Sequence, residues 1–144
     1  MTDRPMPNDP AAMLALLKRS VLGSGFSTLL GAEPLHCWQG ESELLIHLRP
    51  ELTQHHGFAH GAVVGAAADN ACAWAAASVA GDVVTANYSL HLIAPARGER
   101  LRAKGRVLKN GRRQLTVRAD IFAETGDDSR LVATALAAIA RVEA

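Results

Sequence analysis

Gly61-Ala-Val-Val-Gly65-Ala-Ala-Ala-Asp69-Asn70-Ala-Cys72-Ala-Trp74-Ala-Ala-Ala-Ser78-Val-Ala80 is the stretch that decides the fold. Alanine is the best helix former, and nothing in the run stops a helix. These 20 residues would span about 30 Å at a rise of 1.5 Å each. Asp69 and Asn70 fall near the middle, where a bilayer would penalise them, so the run reads as a buried helix of a water-soluble fold.

Downstream, the apolar period changes to two. Val84, Ala86, Tyr88, Leu90 and Leu92 alternate with Thr85, Asn87, Ser89 and His91, and Pro95 and Gly98 end the run. Leu101, Ala103, Gly105 and Val107 alternate with Arg100, Arg102, Lys104 and Arg106. After the Asn110-Gly111 turn, Leu115, Val117, Ala119, Ile121 and Ala123 alternate with Thr116, Arg118, Asp120 and Glu124. Gly126-Asp127-Asp128 is a further turn, and Leu131 to Val142 is read as the last strand, which completes a four-stranded meander.

Upstream, residues 1–8 read as a loose tail and residues 9–144 as one domain. Asp9 as N-cap and Pro10 as first helical residue open a helix carrying Met13, Leu14, Leu16, Leu17 and Val21, which Gly23 stops. A hairpin is expected from Glu33 to Arg49, turning at Gly40-Glu41, followed by a loop from Pro50 to His60. A sheet with one apolar face must cover it, and the alanine-rich helix is the element long and smooth enough to do so. The expected class is α+β, an antiparallel sheet wrapped around one long central helix.

Composition narrows the function. The chain has 144 residues, is 49% hydrophobic and 20% charged, and carries a formal charge of +1, which excludes disorder and argues against a nucleic-acid binder. Aromatic residues at 4% leave few rings for base stacking. Cys37 and Cys72 match no metal or redox spacing and read as free thiols in a reducing compartment. Pro5, Pro7 and Pro10 stand where an export signal would need its apolar run, so a cytoplasmic location is expected and no membrane partner.

The candidate chemistry lies where the Gln54–His60 segment runs into the helix. Gly61 begins the helix, so its N–H is an unpaired donor at the positive end of the dipole; it suits an oxyanion or simply a tight turn. Asp69 lies beyond the first turn, cannot cap the helix, and as a carboxylate in apolar surroundings marks either a lined pocket or an outward salt bridge. Eight residues of helix separate Gly61 and Asp69 by about 12 Å along the axis and about 80° around it. A reacting carbonyl must lie about 3 Å from both its donor and its attacking group. If the two residues share a site, it is therefore built from two copies of the helix across a twofold axis.

From Gln54 through Asp69, Thr85-Ala86-Asn87-Tyr88 and Ala94-Pro95-Ala96, the chain resembles the hotdog-fold acyl-CoA thioesterases of the PaaI-like family, associated with phenylacetic acid degradation. The matched pattern is Asn/Gln, then His-Gly-Gly, then Asp eight residues after the first glycine, within about residues 35–142. The resemblance implies that Asp69 is general base or nucleophile on the thioester carbonyl. It implies that Gly61 N–H polarises that carbonyl from the partner subunit, that Gln54 orients the carbonyl or the water, that His60 supports the oxyanion turn and that Thr85 places the water. It also implies a homodimer, paired further into a tetramer, and no cofactor beyond the coenzyme A of the substrate. Ala62 stands in place of the second glycine, and Gln54 is the variant of the arylacyl-CoA relatives.

Other residues are weighed beside these. His55, His56 and His60 lack a carboxylate at ligand spacing, so no metal is expected. Cys72 reads as a packed thiol, not a nucleophile. Arg112 and Arg113 at the hairpin are the candidates for the coenzyme A phosphates, with Asn87 as a further substrate contact, while the row Arg100 to Arg106 reads as a solvated face. Two other functions suit such a fold: an acyl-CoA-binding protein without turnover, and an enoyl-CoA hydratase or dehydratase.

Overall fold

The computed structural model describes residues 5–143; residues 1–4 of the expected tail lie outside it, and residues 5–8 form neither helix nor strand. Helix α1 spans Pro10–Leu22, with the Asp9 side chain accepting the Ala12 N–H at 2.9 Å and Gly23 closing the end. Its buried stripe is Met13, Leu17 and Val21, and it packs on strand β1 (Glu33–Trp38). A short helix α2, Gly25–Leu30, follows, capped by Ser24 and stopped by Gly31 at φ +69°. The sequence reading missed it because its apolar residues are too few to show a period.

Strand β2 (Glu41–His47) pairs with β1 through a two-residue turn at Gln39 and Gly40, one position earlier than expected. Both residues have positive φ, 50° and 81°, the geometry whose twist matches a hairpin. The segment read as loop from Pro50 contains a single 3-10 turn, Pro50–Leu52, and a bridge between Thr53 and Ala59. Helix α3 then runs Gly61–Ala80, the expected boundaries, and touches all six strands. It is the one described helix long and apolar enough to cross a membrane by composition, and most of it is enclosed by the sheet.

Strands β3 (Val83–Leu92), β4 (Arg100–Asn110), β5 (Gln114–Thr125) and β6 (Asp128–Arg141) complete one six-stranded antiparallel sheet in the order β1-β2-β4-β5-β6-β3. The expected four-stranded meander is thereby corrected. Only β4, β5 and β6 run as neighbours, while β3 pairs with β6 and forms an outer edge. Strand periodicity reports which side chains share a face, but not which strand lies beside which.

The inward face carries Leu44, Ile46, Leu101, Leu115, Ile121 and Ile139, all without solvent exposure, against the alanines of α3. The closest approach is at Gly105. A Cβ there would fall on the Ala71 carbonyl and 2.6 Å from Ser42 Oγ. The Ser42 hydroxyl donates to that same carbonyl at 2.6 Å. On the outer face, Arg102 bridges Glu43 and Glu124, and Arg100 also holds Glu124, at 2.9 Å. These arginines are tied to acids rather than freely solvated.

Candidate functional site

Helix α3 and strand β3 run antiparallel along a shared seam. A Cβ on Gly61 would meet Leu92 at 3.4 Å, and one on Gly65 would meet the Tyr88 hydroxyl at 3.1 Å. At the next turn the Thr85 hydroxyl donates to Asp69 Oδ1 at 2.6 Å. Thus Gly61, Gly65 and Asp69 present one face of the helix to one edge strand, as their four-residue spacing requires.

A bulge makes the Thr85 contact possible. Thr85 pairs with Ile139 and Asn87 with Ala138, so two steps on β3 oppose one on β6. The extra residue reverses the alternation. Thr85 therefore joins Tyr88, Leu90 and Leu92 on the side facing α3, while Asn87 and Val84 face the other way. A strict period of two predicts Thr85 and Val84 the opposite way round, and the bulge corrects that expectation. Asn87, expected near substrate, is set on the sheet face away from the helix.

The start of α3 is arranged around an unused donor. His60 is the N-cap; its Nδ1 accepts the Ala62 N–H at 2.9 Å, and its carbonyl accepts Val63 N–H at 2.9 Å and Val64 N–H at 3.2 Å. Among the described residues the Gly61 N–H has no acceptor. Gly61 lines a cleft of about 260 Å³ whose apolar walls include Phe58, Val64, Leu92 and Ile93. Gln54 is half-buried beside this turn, and its side-chain oxygen accepts the His56 N–H, closing its own loop. Arg112 and Arg113 are exposed on the β4–β5 turn, at the sheet end nearest Thr85 by register, since Leu115 and Thr85 both flank Ile139.

Cys72, near Asp69, is fully buried, and its thiol faces the Val117 carbonyl at 3.8 Å. Burial, helped by the nearby Asp69 charge, pushes the thiol up to about 12, so no thiolate forms at neutral pH. The single chain thus brings Asp69 and Thr85 together and keeps the Gly61 donor two helical turns away from them.

The profile of the thioesterase superfamily matches residues 56–129, more than half of the chain. The chain belongs to the thioesterase superfamily, and its sheet-wrapped helix is the hotdog fold of the PaaI-like proteins within it. It is similar to a thioesterase family protein from Silicibacter pomeroyi at 29% identity and a TM-score of 0.83, covering 90% of this chain and 96% of that one. It is also similar to a mutant of the phenylacetic acid degradation protein PaaI from Thermus thermophilus, at 28% identity and a TM-score of 0.75, over 83% of this chain and 100% of that one. PaaI from the E. coli phenylacetic acid degradation operon shares the fold, with a TM-score of 0.81 at 16% identity over 92% and 95% of the chains. No curated protein sequence matches the chain.

Proposed function

We propose that the protein hydrolyses an acyl-CoA thioester, with an aryl or medium-chain acyl group, to the free acid and coenzyme A, in the cytoplasm and without a metal or other cofactor. The observation that carries this reading is the Thr85–Asp69 hydrogen bond, set on the same helix face as the free Gly61 N–H. Acting as base, Asp69 takes a proton from water while the oxygen attacks the thioester carbon. The carbonyl electrons move onto oxygen, where a Gly61 N–H holds the charge, and collapse expels the coenzyme A thiolate. Acting as nucleophile, the carboxylate attacks directly, expels the thiolate and leaves a mixed anhydride that water opens. Thr85 positions the Asp69 carboxylate, Gln54 orients the carbonyl or water with its side-chain amide, and His60 supports the turn that aims the Gly61 donor.

One protomer cannot place both groups on one carbonyl, so the proposed unit is a homodimer, paired further into a tetramer. Strand β3 supports this. It is a sheet edge with open backbone groups, and Val84, Tyr88 and Leu92 are 57%, 42% and 59% exposed, a combination that edge strands rarely leave uncovered. Pairing β3 antiparallel with its own copy about the strand middle would set Thr85 opposite the partner's Leu90, two residues from the partner's Leu92. Because Asp69 sits by Thr85 and Gly61 by Leu92, the same operation would carry Asp69 toward the partner's Gly61. Arg112 and Arg113 are proposed contacts for the coenzyme A phosphates, and Asn87 for another part of the substrate.

A thiol-release assay over aromatic and aliphatic CoA esters tests the reading. Thiol release that depends on Asp69 is expected. Tight binding without release, or water addition to an enoyl-CoA in its place, would overturn it.

A further inference from the structure

We infer that Arg97, supported on Phe58 and joined by Arg130, seats the anionic nucleotide end of coenzyme A; this rests on the acyl-CoA reading above. The cleft lined by Gly61 is mostly apolar and includes Phe58 in its wall. The Arg97 guanidinium lies over the Phe58 ring, 4.8 Å from its centroid, and the His56 ring stacks near the same ring at 6.1 Å. A guanidinium on an aromatic face is held in place while its N–H groups stay free to donate.

The two loops that carry these residues are tied together, since Ala59 N–H donates to the Ala96 carbonyl at 3.1 Å, and within the second loop Arg97 N–H donates to the Pro95 carbonyl at 2.9 Å. Beyond Arg97 lies a second, polar hollow of about 390 Å³, lined by Arg97, Arg130, Thr125, Ser129 and Asp128 together with Ala123. Two arginines line it with one carboxylate residue, Asp128, and the Ser129 hydroxyl donates to Glu124 at 3.4 Å. Among the described residues no carboxylate lies within ion-pair distance of Arg97 or Arg130, whereas Arg100, Arg102 and Arg118 are each neutralised by an acid.

From the helix start outward, the molecule offers an oxyanion donor, a narrow apolar cleft, a fixed cation and then a polar hollow with a second cation. Coenzyme A presents the same sequence of chemistry from its sulfur outward: a thioester, a slender pantetheine arm, then phosphates. Arg112 and Arg113 differ in standing on the β4–β5 turn, away from the cleft that begins at Gly61.

The test is calorimetric titration of the whole protein with coenzyme A and with pantetheine, which has the arm but no phosphates. The wild-type chain is expected to bind coenzyme A at least about tenfold more tightly than pantetheine, the worth of a charge-assisted contact. Arg97→Gln and Arg130→Gln, both exposed positions, should each narrow that gap by a similar factor. An unchanged gap in Arg97→Gln, or no binding of coenzyme A to the wild-type chain, would overturn the assignment. Hydrolysis is read separately. Arg97-dependent binding without thioester cleavage would defeat only the catalytic reading, and cleavage with an indifferent Arg97 only this one.

Discussion

Thr85 reaches Asp69 because the bulge that follows it in β3 turns its hydroxyl toward α3, where it donates to the carboxylate at 2.6 Å. The bond orients one carboxylate oxygen and leaves the other for water or substrate. Asp69→Ala should therefore lower kcat by about 10²–10⁴-fold with the fold intact, the usual worth of a general base. Thr85→Val should cost about tenfold in kcat, and Thr85→Ser should restore most of it. In an Asp69→Ala background, Thr85→Val should cost nothing further. Steady-state kinetics of the four variants decides it, and additive losses would separate Thr85 from Asp69.

Gly105 sets how closely the sheet can approach the helix. With Ala71 and Ser42 in the space of a Cβ, Gly105→Ala must push β4 off α3. A loss of about 3 kcal/mol is expected, at the upper end for overpacking. Urea denaturation of the variant measures it. A loss under about 1 kcal/mol would mean that the contact yields easily.

Acid should weaken the fold through Glu124. Hydrogen bonds from Arg102 first, then Arg100, hold its carboxyl below its ordinary value of 4.5 despite its burial. A group whose folded pKa is depressed contributes stability that is complete above the unfolded pKa and lost as pH falls through the folded one. Melting temperature should thus fall below about pH 4.5, and Glu124→Gln should flatten that limb while costing about 1.5–3 kcal/mol at neutral pH. A variant whose acid limb equals the parent's would remove Glu124 from this role.

Neither thiol should react in the native state. Burial raises Cys37 to about 11 and Cys72 to about 12. Ellman's reagent should titrate no thiol until denaturant is added, and then both. Early reaction of one thiol would show that the core around α3 opens locally.

Much of this architecture is legible in the residues, and the rest is illegible for identifiable reasons. The central helix follows from alanine propensity, and the inward rows of β4 and β5 follow from alternation that proved accurate at Leu101, Ala103, Val117 and Ile121. The faces of β3 do not, because a bulge leaves no mark in a period of two, and Thr85 and Val84 take opposite sides to those the alternation predicts on that account. The place of β3 beside β6 is equally hidden, being set by long-range pairing rather than by its own sequence. Asp69 stood out as a carboxylate within an alanine helix. Arg97 did not, since its significance lies in the loop contact with Phe58, which sequence separation conceals.

The direct test of a site shared between two protomers is complementation. Gly61 opens α3, where proline is well tolerated, and His60 at φ −62° and ψ 139° already has the backbone that precedes a proline. Gly61→Pro should therefore keep the helix, remove the oxyanion donor and lower kcat by about 10²–10³-fold. When Gly61→Pro and Asp69→Ala chains are unfolded and refolded together in equal amounts, half the dimers are mixed and each mixed dimer has one intact site. Activity should return to about a quarter of wild type. A mixture no more active than the two variants alone would contradict the account.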